Sequence, residues 1–252
     1  MNIKYDFSGK HFLVAGASSG IGRATALLLG KSGATLSLVA RREEQLRETA
    51  ALLPNNNHMV YSYDLSCTEG IEALVKETVL KNGAISGLVY CAGIAPERPL
   101  RMTKKKDIDS VMTVNFYSFV EIMRCISKKN NYSEELSCVA ISSLSSVVGN
   151  KGKIAYCSSK AALDAAVRCM AHELADKKIR INTIQPSWVD TYLYKKYMED
   201  WGDNSVAAEK MKRELLGITS PEEVAAMAAY LLSDASKTIT GSAVRIDSGY
   251  LS

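Results

Sequence analysis

The sequence predicts an α/β fold, a single domain built on a doubly wound parallel sheet of about seven strands with helices on both faces. Two observations carry this. Short apolar runs alternate with helical patterns along the whole of the 252 residues, and those runs are nearly continuous, as strands buried on both faces must be. A third observation, the lack of any internal repeat or low-complexity linker, favours one domain over two.

HFLVAG (11–16) reads as the first strand and IGRATALLLGKSG (21–33) as the helix after it. TLSLVA (35–40) precedes EEQLRETAALL (43–53), and MVYSY (59–63) precedes EGIEALVKETVLKNG (69–83). ISGLVYCAG (85–93) leads to one long helical segment from Thr103 to Lys129. LSCVAISS (136–143) leads to a helix holding IAYCSSKAAL (154–163), and IRINTIQP (179–186) is the sixth strand. Residues 190–217 are less regular, with aromatics and both signs of charge. SPEEVAAMAAYLL (220–232) is a helix capped by Ser220 with Pro221 at its first position, and SAVRI (242–246) is the last strand. Right-handed crossovers make such a sheet doubly wound, and its ligands sit beyond the carboxyl ends of the strands.

Composition excludes several classes. With 47% hydrophobic and 23% charged residues, the chain is neither disordered nor collagen-like. No apolar h-region opens it and no stretch reaches the roughly 18 to 20 apolar residues of a membrane span, so no membrane association and a cytoplasmic location are expected. Six cysteines without a CxxC pair lie mostly in apolar segments and suggest no disulfide framework. Three separated histidines, His11, His58 and His172, give no metal site. A net charge of +4 is mild, and Lys104-Lys105-Lys106 reads as a solvated helix start rather than a nucleic-acid patch.

Two motifs carry chemistry. AGASSGIG after the first strand holds Gly16, Gly20 and Gly22, suited to a turn that lets a pyrophosphate approach the backbone at a helix N-terminus. Tyr156 and Lys160 stand four residues apart on one helix face, so a phenol and an ammonium can act at the same point. An exposed Tyr and Lys on an amphipathic helix would give the same pattern.

Taken with Asp64, Ala92-Gly93, Asn115, Ser143 thirteen residues before Tyr156, and Asn182-x-Ile184-x-Pro186-x-x-Val189-x-Thr191, these motifs make the chain resemble the short-chain dehydrogenases/reductases over nearly its whole length. Within that family it resembles the 3-oxoacyl-acyl-carrier-protein reductase-like members. The resemblance implies a Rossmann-like domain and an NADPH-dependent oxidoreductase that reduces a ketone or carbonyl to a secondary alcohol, reversibly. In that frame Tyr156 is the general acid in reduction, and Lys160 lowers its pKa and holds the nicotinamide ribose. Ser143 donates to the substrate carbonyl, with Ser142, Ser145 and Ser146 as alternatives. Asn115 sits at a helix kink and holds a water in a proton relay, or is a satisfied core asparagine. Cys157, Ser158 and Ser159 gain no comparable role.

The implied cofactor-binding residues are Gly16, Ser18, Ser19, Gly20, Ile21, Gly22, Arg41, Arg42, Asp64, Leu65, Ala92, Gly93, Tyr156, Lys160, Pro186, Val189 and Thr191. NADP(H) is favoured because Ala40, Arg41 and Arg42 stand where NAD-preferring relatives carry an acidic residue, and a guanidinium fork suits a phosphate. Arg41 is the first choice and Arg42 the second. Asp64 with Leu65 brackets adenine, or Asp64 is a turn or helix-cap residue; Val189 and Thr191 meet the carboxamide, or Thr191 caps a helix. Ala15, Cys91 and Ser187 depart from the family pattern and put the cofactor contacts in doubt. Residues 94–101 and 190–217 are expected as pocket wall and lid, with Tyr192, Tyr194, Tyr197, Met198 and Trp201 able to line a substrate site or to pack against the domain. The expected partners are a small carbonyl or alcohol substrate and further copies of the chain, as a homotetramer or dimer. A non-catalytic NADP(H)-binding module and a sugar-nucleotide epimerase or dehydratase are the alternatives.

Overall fold

The computed structural model describes residues 4–201 and 212–252, and of 200 and 201 the backbone alone. Seven strands form one sheet among these residues: β1 (His11–Ala15), β2 (Thr35–Ala40), β3 (Met59–Ser62), β4 (Ile85–Tyr90), β5 (Tyr132–Ile141), β6 (Ile179–Pro186) and β7 (Ala243–Ile246). Their order is β3-β2-β1-β4-β5-β6-β7 and every pairing is parallel. The order reverses between β1 and β4, which opens a crevice at the carboxyl ends of those two strands.

The helices are α1 (Gly20–Lys31), α2 (Glu43–Ala51), α3 (Ile71–Asn82), α4 (Lys105–Met112), α5 (Ser118–Ile126), α6 (Ile154–Leu174), α7 (Tyr192–Trp201) and α8 (Pro221–Leu232). Strand side chains alternate between two cores. Phe12, Val14, Leu36 and Leu38 pack with Leu29 of α1 and Val224 of α8. Leu13, Ala15, Leu88 and Tyr90 pack with Val75 of α3, Ile122 of α5, and Leu163 and Val167 of α6. Each such burial contributes about 1.5–3 kcal/mol, and it demands apolar residues at consecutive strand positions.

Three elements depart most from the sequence reading. Strand β4 ends at Tyr90 rather than Gly93, and β5 runs from Tyr132 to Ile141 because Tyr132 pairs with Ile85; Ser142 and Ser143 therefore lie beyond the strand. The segment 103–129 is not one helix. A π-helical turn, Thr113–Tyr117, separates α4 from α5. There the Val114 carbonyl accepts hydrogen bonds from the Tyr90 hydroxyl and from Ser118 Oγ (2.9 Å), which supports the widened turn.

Lys104 precedes α4, with Lys105 and Lys106 in its first turn, and all three are exposed at this helix start. Cys125 and Cys138 are buried, but Cys67 and Cys169 are exposed rather than in apolar core. No helix among the described residues is long and apolar enough to cross a membrane. Of the segment 190–217, residues 202–211 and the side chain of Trp201 lie outside the described residues.

Candidate active site

Helix α6 stacks Tyr156, Lys160 and Asp164 at four-residue intervals, and Val167, Ala171 and Leu174 continue the buried face. The helix is pinned by the core below and presents polar groups at the carboxyl edge of the sheet. Lys160 is only 4% exposed. Its Nζ donates to the carbonyl of Ile141 at 2.7 Å and lies 5.8 Å from the centroid of the Tyr156 ring. Burial pulls the Lys160 ammonium down to about 8, against the opposing pull of Cys91 and Asp164. Burial also pushes the Tyr156 phenol up, and hydrogen bonding by Ser143 draws it partly back.

Ser143 is buried and opens a short 3₁₀ turn, Leu144–Ser146, in which Ser145 N donates to its Oγ at 3.1 Å. It is thus the serine that faces the phenol. Ser142 instead sends its hydroxyl to the Lys160 carbonyl (3.4 Å), and Ser146 accepts from Gln185.

Asn115 is fully buried inside the π turn. Its Oδ1 accepts from Ile94 N (2.8 Å), and its Nδ2 donates to Ile94 O (3.0 Å) and Ser159 Oγ (2.9 Å). Ser159, which the sequence reading set aside, is therefore a working partner: it passes a bond on to the Tyr156 carbonyl at 2.8 Å. A side chain added at Gly93 would come 3.4 Å from Asn115 Oδ1 and 3.6 Å from Lys160 Nζ, which places Gly93 beside both.

At the switch point the turn after β1 is held tightly against β4. Gly16 has a φ of +85°, and a Cβ there would meet Ala92 N at 2.7 Å; one at Gly22 would meet Gly16 O at 2.2 Å. Only glycine fits both places. Helix α1 has no side-chain cap and no acid in its first turn, whereas α8 has a capping box between Ser220 and Glu223. The open N–H groups of Ile21 and its neighbours, at the positive end of α1, match what an anionic pyrophosphate needs.

Arg42, rather than Arg41, reaches that turn. Its guanidinium donates to Ser18 Oγ (3.2 Å) and Ser19 Oγ (2.9 Å), while the Arg41 carbonyl accepts from Ser62 (3.2 Å); both arginines are exposed. These donors, with no carboxylate among them, fit a phosphorylated cofactor. Asp64 caps a turn by accepting from Ser66 N (2.9 Å), a bond that with the Arg41 charge holds its carboxyl below the usual range. Leu65 is buried in the core. Pro186 and Val189 are buried at the end of β6. Thr191 immediately precedes α7, donates to Val189 O (3.2 Å), and lies 3.1 Å from where a Gly20 Cβ would stand.

Two departures from the family pattern have structural answers. Cys91 N bonds the Ala15 carbonyl at 2.8 Å, so the loops after β1 and β4 are joined through backbone. Ser187 donates to Glu214 Oε2 at 2.8 Å, and burial raises that buried carboxylate. Trp188 packs on Tyr197 (ring centroids 4.6 Å apart) and Tyr194 (6.1 Å); Tyr192 is exposed.

Known proteins resemble the chain over nearly its whole length. The family model described as Enoyl-(Acyl carrier protein) reductase matches residues 16–251. The chain is 32% identical over 246 residues to a 3-oxoacyl-[acyl-carrier-protein] reductase of Thermotoga maritima, covering 96% of this chain and 97% of the relative. It is also 32% identical over 258 residues to an L-xylulose reductase of Caenorhabditis elegans, covering 99% of each. A dehydrogenase/reductase from Sinorhizobium meliloti 1021 superposes with a TM-score of 0.90 at 28% identity, over 99% of this chain and 98% of that one.

Proposed function

The chain belongs to the short-chain dehydrogenase/reductase family, and we propose that it is an NADPH-dependent reductase of a small carbonyl compound, reversible as an alcohol dehydrogenase. The observation that supports this reading best is the meeting of Ser143, Tyr156 and Lys160 at the carboxyl edge of the sheet, beside Gly93 and Asn115. Relatives named for reduction of a 3-oxoacyl thioester and of a ketose point to carbonyl substrates.

The open N-terminus of α1, with Ser18, Ser19 and Arg42, would hold the phosphates, and Gly93, Pro186, Val189 and Thr191 would flank the nicotinamide. Bound there, the reduced nicotinamide supplies the hydride. The chain's own residues handle the proton and the charge. The Ser143 hydroxyl donates to the carbonyl oxygen as negative charge builds on it, and Tyr156 gives that oxygen its proton. With its ammonium at about 8, Lys160 is mostly charged at pH 7 and favours the phenolate left behind; each pKa unit is worth about 1.4 kcal/mol. Asn115 holds the loop at Ile94 and anchors Ser159, and in this reading a relay water near it links Lys160 to solvent.

The enzyme works as a homo-oligomer in this reading. The test is NADPH consumption, followed spectrophotometrically, across acyl thioesters, sugars, steroids and small ketones. Turnover of one class supports the reading. Tight NADPH binding with no turnover of any class would reject it in favour of a binding module.

A further inference from the structure

Gln185 is the penultimate residue of β6, immediately before Pro186. Period two sends Ile179, Ile181, Thr183 and Gln185 toward α6, where Ile179 and Ile181 join the core with Leu163 and Val167. A long polar amide at the last of these positions is 5% exposed, and a buried amide has to find partners. Both hydrogens of its Nε2 are used. One goes to Ser146 Oγ at 2.8 Å and the other to Asp164 Oδ2 at 2.8 Å.

Those two acceptors belong to the two segments that carry the catalytic groups. Ser146 closes the turn that Ser143 opens, its own N–H donating to the Ser143 carbonyl at 2.9 Å. Asp164 stands one helical turn beyond Lys160, is itself 5% exposed, and its Oδ1 has no hydrogen-bond partner among the described residues. Loss of the Gln185 bond would therefore strand a buried carboxylate, an outcome that holds the amide firmly in place.

We propose that Gln185 is a positioning residue, its amide nitrogen clasping the turn that carries Ser143 to the helix that carries Tyr156 and Lys160. The clasp fixes the distance between the group that polarises the substrate oxygen and the group that protonates it. It also lies one residue before Pro186, so both are set relative to the loop that would flank the nicotinamide. The inference rests on the reductase reading for its effect on rate, but the clasp itself can be read without turnover. Misplacing a catalytic group by about 1 Å costs on the order of 100-fold in rate, which sets the scale expected.

The experiment compares wild type, Ser146→Ala and Gln185→Leu, each also in a Ser143→Ala background. It measures kcat at saturating NADPH, the NADPH Kd, and hydrogen exchange at the Ser145 amide. Gln185→Leu is expected to lower kcat by about 10- to 100-fold and Ser146→Ala by about 3- to 10-fold, with the NADPH Kd unchanged and the Ser145 amide exchanging faster in both. In the Ser143→Ala background, with residual rates measured at high enzyme concentration, neither change should lower kcat further. Full additivity there would mean a general loss of stability and would overturn the proposal, as would an unchanged Ser145 amide. Should Gln185→Leu fail to fold, Ser146→Ala, which keeps the bond to Asp164, carries the test alone. A wild type that reduces no carbonyl rejects the reductase reading, and the Ser145 exchange then decides the clasp by itself.

Discussion

The Lys160 ammonium nitrogen lies 5.8 Å from the centre of the Tyr156 ring, one helical turn away and held there by the Ile141 carbonyl at 2.7 Å. Burial acts on the two groups in opposite directions, lowering the lysine to about 8 and raising the tyrosine. The same event disfavours both charges. A cationic lysine beside a phenol that must become a phenolate is therefore a pair the fold strains to hold, and its consequences are measurable.

Tyr156→Phe keeps the ring and its packing and removes the proton donor. It is expected to lower kcat by about 10²- to 10⁴-fold, the usual contribution of a positioned acid, while leaving NADPH binding nearly unchanged. Steady-state kinetics with a fluorescence titration of NADPH checks both halves, and retained turnover would remove Tyr156 from the proton-donor role.

The depressed lysine makes stability depend on pH. The unfolded chain holds this proton up to a pKa near 10.5 and the folded chain only to about 8. Between those values the unfolded state binds more protons, so folding stability rises with pH across that window and is flat with respect to this group below it. The span corresponds to roughly 3 kcal/mol. Lys160→Met lacks the slope, and urea unfolding from pH 7.5 to 10 should show wild type gaining on the variant. A constant difference between the two would contradict the depressed value.

Arg42, although exposed like Arg41, bonds both serines of the glycine-rich turn. Arg42→Ala is expected to raise the NADPH Kd by about 10- to 100-fold, the scale of a lost charge-assisted bond, with little change for NADH. Arg41→Ala should cost less. Isothermal titration with both cofactors decides the matter, and equal losses for NADPH and NADH would rule out a phosphate-reading role.

Asn115→Ala would orphan the backbone N–H and carbonyl of Ile94 and remove one of the two bonds of the Ser159 hydroxyl, which keeps its bond to the Tyr156 carbonyl. Each unsatisfied buried group costs about 1–3 kcal/mol. A loss of about 2–4 kcal/mol in denaturant unfolding is expected, along with slower turnover. A stability unchanged within about 0.5 kcal/mol, the usual range for substitutions that break no specific contact, would show that the amide is not the fastener.

Much of this was legible in the chain because it depends on near neighbours. The apolar runs of β1, β2 and β4 follow from burial on both faces, and Tyr156 and Lys160 share a face because a helix repeats every 3.6 residues. Contacts between distant segments left no such mark. The π turn at Thr113–Tyr117 leans on the Tyr90 hydroxyl of another element. Ser159 gained its role from Asn115, 44 residues earlier. Gln185 and Asp164 are 21 apart, and neither residue type at its position announces the other.

By itself the sequence determined the parallel seven-stranded sheet, the glycine turn between β1 and α1, and the helix face that bears the phenol and the ammonium, because each follows from the periodicity of one continuous segment. Tertiary structure alone decided that Arg42 rather than Arg41 meets the turn and that burial sets the lysine near 8, and it set Ser143, the serine already favoured by its offset from Tyr156, against the phenol. Those outcomes depend on where separate elements bring their ends together and how much water is excluded there. Neither quantity is written in the order of residues along a single helix or strand.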